Sequence, residues 1–207
     1  MTENNPNPIV GDVPFVGVVA IDITDLFGIK PVIPEDAFSH NELWAMTEDA
    51  IGEATKAMQG EEHSTLPLLK AIVFPRVRDA LLMFVVTDGE YETMKDALWV
   101  EHKGELVGEA LDGILKGNAE PNALSHEVIT YLEEVVMYDM DVAYASDEAK
   151  AQLYALGSVL AFWHGDDERI NRALAGAEAF GGSRLAELVR TAHSRGLRPG
   201  WMASAKA

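Results

Sequence analysis

The apolar positions of this chain recur at helical spacing over most of its length. Ser39-His40-Asn41-Glu42 is a capping box, a serine followed three residues later by a glutamate. It opens a helix to about Met58 with Leu43, Met46, Ala50, Ala54 and Ala57 inward, and Gly60 ends it. Leu66 to Phe74 reads as helical, and Pro75 starts a further segment through Val86. Thr87-Asp88-Gly89 is a turn. Glu90 to Trp99 is expected to bury Tyr91, Met94 and Leu98. Gly104 to Leu115 is expected to bury Leu106, Val107, Ala110, Leu111, Ile114 and Leu115, with Gly117-Asn118 closing it. After a loop containing Pro121, Ser125 is the expected cap of a helix with Val128, Ile129, Leu132, Val135 and Val136 inward. Met137 to Asp141 reads as its continuation.

The last third, Asp147 to Trp201, is the most regular stretch. Tyr154, Gly157, Ser158, Ala161 and Phe162 place small and aromatic residues on one helical stripe. Trp163-His164-Gly165-Asp166-Asp167 breaks it. Gly165 suits the left-handed conformation that ends a helix, and Asp166 or Asp167 suits the cap of the next. Ile170, Leu174 and Ala177 form a facing stripe. Gly181-Gly182 is a second break, Ser183 the next cap, and Leu185, Leu188, Val189 and Ala192 a third stripe, stopped by Gly196 and Pro199-Gly200. Small residues at Gly157, Ser158, Ala161 and Ala177 suit two closely packed antiparallel helices. On them Ala151 to Gly182 resembles one tetratricopeptide-like unit, with Ile170 where that repeat prefers alanine and Gly182 where it prefers proline. One unit does not make a solenoid, since an array needs about three to bury its faces.

Val13 to Ile21 is β-branched and aromatic, which favours a short strand, but a run this short reads equally as a buried helix. No strand alternation follows residue 23. The fold class is therefore all-α, with about eight helices ending in the hairpin and a capping helix. Residues 1–11, rich in Asn and Pro, are expected to be a disordered arm. Residues 12–201 are expected to form one domain, an acidic body (12–146) and a C-terminal hairpin with its cap (147–201).

Composition narrows the function classes. The 207 residues are 48% hydrophobic, enough for a sizeable core, yet no apolar run reaches the roughly 18 residues of a membrane span. Met1 to Pro8 carries no basic residue and does not read as a signal peptide, so a cytoplasmic location is expected. The absence of cysteine excludes disulfides, thiolate nucleophiles and cysteine metal sites. The net charge is −18, unevenly spread. Residues 1–150 hold 29 acids against 9 bases, residues 151–207 hold 5 against 7. Six of those seven bases are arginines: Arg169, Arg172, Arg184, Arg190, Arg195 and Arg198. Direct nucleic-acid binding is disfavoured, because a phosphate backbone repels the acidic body. An acidic nucleic-acid mimic that blocks a host enzyme stays open, as does a solubilising role for the charge.

Candidate chemistry is sparse. Arg78-Asp79 at a helix start is read as an internal ion pair or cap, the alternative being an arginine offered to an anionic ligand. His164, Asp166 and Asp167 are the nearest approach to a metal-ligand or metal-hydrolase set, but no His-x-x-x-His pair accompanies them, and no metal or other cofactor is expected. Glu61-Glu62-His63, Glu101-His102 and His126-Glu127 are sequence neighbours, which do not face one another on a helix. Glu133-Glu134 and Asp139-x-Asp141 are carboxylate pairs of a kind expected by chance among 34 acids. Gly176 to Gly182 lacks the strand and lysine of a phosphate loop, and no Gly-x-Ser-x-Gly elbow occurs. Trp44, Trp99 and Trp163 are read as packing residues. Trp201, beyond the last helix stop, must dock or dangle. With Arg198, Arg195 and Arg190 it has the composition of a protein-binding hot spot.

Three stretches resemble an uncharacterised family common in actinobacteria and their phages, known only as a domain of unknown function. They are Val77-Arg78-Asp79-Ala80, Ala97-Leu98-Trp99, and Leu156 to Trp201. The last includes Trp163-x-Gly165-Asp166, Asn171-x-Ala173-Leu174, Leu185-Ala186-x-Leu188 and Gly196-Leu197-x-Pro199. The chain is similar to the C-terminal part of that family, with an insertion between Trp99 and Ala151, and is read as a short version lacking the larger members' N-terminal half. The resemblance implies a fold and a phage or actinobacterial setting, and no reaction. The expectation is a non-enzymatic module that binds a host protein or a second copy of itself.

Overall fold

The computed structural model describes residues 38–99, 103–116 and 119–204. The expectations for residues 1–37, including the arm and the Val13–Ile21 strand, and for Gly117-Asn118, lie outside them. The described residues form eleven helices and no strand: α1 (His40–Met58), α2 (Leu66–Ala71), α3 (Pro75–Val86), α4 (Tyr91–Trp99), α5 (Lys103–Lys116), α6 (Ala123–Tyr138), α7 (Met140–Tyr144), α8 (Asp147–His164), α9 (Asp167–Ala179), α10 (Arg184–Ser194) and α11 (Gly200–Ser204). The fold is all-α. None of these helices is long and apolar enough to cross a membrane.

Local chemistry sets most boundaries. The Ser39 backbone N–H donates to Glu42 Oε2 at 2.7 Å, and Ser39 Oγ accepts the Glu42 N–H, the reciprocal bonds of the capping box. The helix expected over Leu66–Phe74 stops at Ala71. Phe74 is extended (φ −87°, ψ 117°) because the ring of Pro75 crowds a helical conformation in the residue before it. Ser125 does not cap α6. Asn122 does, its Oδ1 accepting the Ser125 N–H at 2.7 Å, while its Nδ2 donates to the Val85 carbonyl at 2.7 Å and ties the start of α6 to the end of α3. Nor does α6 run on to Asp141. The chain turns extended at Asp139, whose Oδ1 accepts the Asp141 N–H at 2.7 Å and begins α7. α10 has already stopped at Ser194, with Gly196 left-handed just beyond, and Pro199-Gly200 instead leads into the short α11.

Helix α8 is the hub. Its apolar residues surround the axis rather than lining one face, the signature of a helix buried on every side. It packs against α9, α10, α6, α2 and α3. Leu153, Leu156, Val159, Leu160, Phe162 and Trp163 are all buried. The close approach in the α8–α9 pair is not at Gly157, beside which a methyl group would find open space. It is at Gly176, where a Cβ would lie 2.3 Å from the Tyr154 ring. That ring stacks on Phe180, centroids 5.9 Å apart.

Two expected core residues face outward. Tyr91 is 48% exposed, its ring edge resting on Phe84 and Trp44. Leu188 is 41% exposed, while Leu185, Val189 and Ala192 are buried. The side chains of Leu115 and Val136 lie outside the described residues.

Candidate functional site

The C-terminal third carries the expected partner-binding residues, and its geometry starts at the α8–α9 turn. Gly165 ends α8 in the left-handed region (φ 70°), and Asp166 caps α9 by accepting the Arg169 N–H at 3.1 Å. The last carbonyls of a helix lack intrahelical partners. One of them, Trp163 O, accepts the indole N–H of Trp201 at 2.8 Å. Met202 sits over the same turn, so close that a Cβ on Gly165 would meet its sulfur at 2.4 Å. Arg198 grips the Asp167 carboxylate with two nitrogens, Nη2–Oδ2 at 2.7 Å and a second contact from Nη1 to Oδ1. That contact holds the Asp167 carboxyl below its ordinary range. Trp201 is half-buried and helical, and α11 also touches α5. The tail is docked on its own domain.

The other arginines divide by role. Arg190 Nη2 donates to Glu178 Oε2 at 3.0 Å and to the Leu174 carbonyl at 3.3 Å, holding α10 to α9. Arg169 and Arg172 both lie 3.3 Å from Glu133, joining α9 to α6. Arg184, the first residue of α10, and Arg195, just past its end, stay exposed. They flank a shallow groove of about 380 Å³ lined also by Glu187, Leu188, Thr191 and Leu197. Leu197 is 49% exposed and Leu188 41%, so two open leucines share this groove with two arginines.

Arg78 Nη2 lies 2.5 Å from Asp79 Oδ1, with both side chains largely buried. Its Nη1 donates to Gln152 Oε1 at 2.9 Å, and the same oxygen accepts Ser183 Oγ at 3.1 Å. Three helices are tied through one amide, because Ser183 also caps α10. No contiguity in the sequence signals Gln152, which lies on a helix read there as apolar packing.

His164, Asp166 and Asp167 do not converge. Asp166 faces Arg169, Asp167 faces Arg198, and His164 Nε2 lies 3.1 Å from Ser125 Oγ. Among the described residues no group of three His, Asp or Glu side chains is placed to hold a metal ion. The Ser125 hydroxyl donates to the Asn122 carbonyl at 2.7 Å, so the His164 Nε2–H must be the donor to Ser125. Ser125 is fully buried, which removes it as a nucleophile open to substrate. Burial, the His126 ring 4.1 Å away and Arg169 push the His164 pKa down to about 4, against an opposing pull from Asp166.

No family model, no curated protein and no solved structure matches the chain.

Proposed function

We propose that the protein is a non-enzymatic module that receives a protein partner on the outer face of α10. The observation that carries this reading is the pair of open leucines, Leu188 and Leu197, between Arg184 and Arg195. An apolar centre rimmed by arginine is the composition of a binding surface rather than of a solvated helix face. The partner that fits is an acidic segment bearing an apolar side chain for the groove. In this reading Arg195 contacts the partner directly. Trp201, Arg198 and Arg190 act from behind, holding the tail and α10 in place. The α8–α9 pair serves as a tetratricopeptide-like support, and the setting that goes with this reading is an actinobacterium or its phage. A second copy of the chain, through its acidic body, meets the same chemical description.

Capture from an actinobacterial lysate with the wild-type chain and Leu188→Asp in parallel tests the reading. A protein held by the wild type and lost by the variant supports it, and self-association lost in the same variant supports the homo-oligomer form. Partners held equally by both overturn it. Retention only at low salt and indifferent to the substitution favours instead the acidic body acting as a nucleic-acid mimic.

A further inference from the structure

Arg76 meets His40, Arg78 meets Asp79, Arg169 and Arg172 meet Glu133, Arg190 meets Glu178, and Arg198 meets Asp167. The side chains of Arg184 and Arg195 have no ion-pair or hydrogen-bond partner among the described residues. Both line the groove that holds Leu188 and Leu197. Glu187, the acid in that lining, lies 3.6 Å from Arg190 instead. The groove therefore offers two uncompensated positive charges beside apolar surface, in a chain whose net charge is −18. Its complement is a stretch with two carboxylates set among apolar side chains.

The chain carries such a stretch before α1. Residues 1–29 hold four acids and no Lys or Arg. Asp22 and Asp25 stand among large apolar residues in Ile21-Asp22-Ile23-Thr24-Asp25-Leu26-Phe27. The spacing fits the groove. Arg184 and Arg195 are about 16 Å apart along α10 and Asp22 and Asp25 at most about 10 Å apart when extended, a difference that two long arginine side chains cover.

The reach fits as well. Phe38 packs on Phe74 at the start of α3, ring centroids 4.9 Å apart. Arg76, two residues on, lies 3.3 Å from His40. Arg78 then donates to Gln152, which accepts from Ser183 at the start of α10. A short series of side-chain contacts thus leads from the start of α1 to Arg184. The stretch from Phe27 to Phe38 spans up to about 36–40 Å, more than the roughly 30 Å diameter of a small domain. A tether of this length gives an effective concentration of about millimolar order, enough to populate a weak contact.

We propose that Ile21–Phe27 docks in the α10 groove of its own chain, with Asp22 and Asp25 at Arg184 and Arg195 and the apolar side chains over Leu188 and Leu197. This rests on the reading of the α10 face as a docking surface and names its resident occupant. A protein partner then has to displace the segment, and its apparent affinity is reduced to the fraction of chains whose groove is open.

The chain has no cysteine, so Gly28→Cys in the full chain gives a single attachment point for a nitroxide spin label, beside the segment without altering it. Paramagnetic broadening of backbone amide signals reads where the label resides. The expected result is selective broadening at Leu188, Thr191 and Leu197. It should be lost with Asp22→Arg and Asp25→Arg together, lost with Arg184→Asp and Arg195→Asp together, and restored when all four are combined. Broadening spread evenly over the surface overturns the proposal, as does groove broadening that survives both reversals. Broadening seen only when label and observed nuclei are on different copies also overturns it, since a second copy then fills the groove. Even broadening together with a partner lost by Leu188→Asp would overturn this inference and leave the partner-binding reading standing.

Discussion

The indole N–H of Trp201 donates to the backbone carbonyl of Trp163, 38 residues earlier in the chain. The bond supplies a partner to a carbonyl that the end of α8 cannot satisfy from within. Trp163 in turn is buried, and its own indole donates to the Ala119 carbonyl at 2.9 Å. Two tryptophans thus link the tail, the central helix and the loop before α6.

Trp201→Phe keeps much of the ring and removes the donor, and is expected to cost about 1 kcal/mol. Trp201→Ala also removes the half-buried ring and should cost more, about 2–3 kcal/mol. Urea unfolding of the two variants checks the order. Equal and negligible effects would mean that the tail does not stay docked in solution.

The two glycines of the hairpin should respond in opposite directions. Gly157→Ala meets nothing within 4 Å, and should stabilise by up to about 1 kcal/mol through helix propensity. Gly176→Ala drives a methyl group into the Tyr154 ring and should destabilise by about 1–3 kcal/mol, the usual range for overpacking. Thermal unfolding of both reads the sign directly.

His164 makes stability depend on pH. Its folded pKa of about 4 lies below the ordinary value of 6.5, so the unfolded chain binds more protons between those values. The stabilising effect of keeping the ring neutral is complete above pH 6.5. It is lost progressively as pH falls to about 4 and does not change further below that. The loss is on the order of 3 kcal/mol. His164→Gln should flatten the unfolding midpoint across pH 4–6.5, and an unchanged slope would place the titration elsewhere.

On α10, Leu185 and Leu188 separate core from surface. Leu185→Ala should cost about 2–4 kcal/mol, the range for a buried leucine. Leu188→Ala should stay within about 0.5 kcal/mol. Chemical denaturation of the pair distinguishes the buried stripe from the open groove. A large effect of Leu188→Ala would show that the groove is closed.

Helical spacing and capping chemistry were legible along the chain because they are local. Ser39 with Glu42, Gly165, Asp166 and Ser183 each act within a few residues. Where a competing local choice existed, the neighbouring helix decided. Asn122 caps α6 in place of Ser125, and the same side chain also reaches the Val85 carbonyl at the end of α3. Spacing alone groups Leu188 with the core, yet it is 41% exposed. The periodicity marks which residues share a stripe but not how wide a stripe the neighbouring helices cover.

The candidate site was legible as composition, not as arrangement. Arginines and a tryptophan near the C-terminus are visible in the sequence. That Trp201 bonds the end of α8 and Arg198 pairs with Asp167 at the surface, while Arg184 and Arg195 line the groove with the open leucines, is set by contacts between distant parts of the chain. By itself the sequence determined the helical class, the caps and the charge asymmetry, since these follow from neighbours along the chain. Only the tertiary structure decided which side chains are free and which are engaged. The deciding contacts join residues separated by 31 to 74 positions, such as Arg198 with Asp167 and Arg78 with Gln152, and no local pattern encodes them.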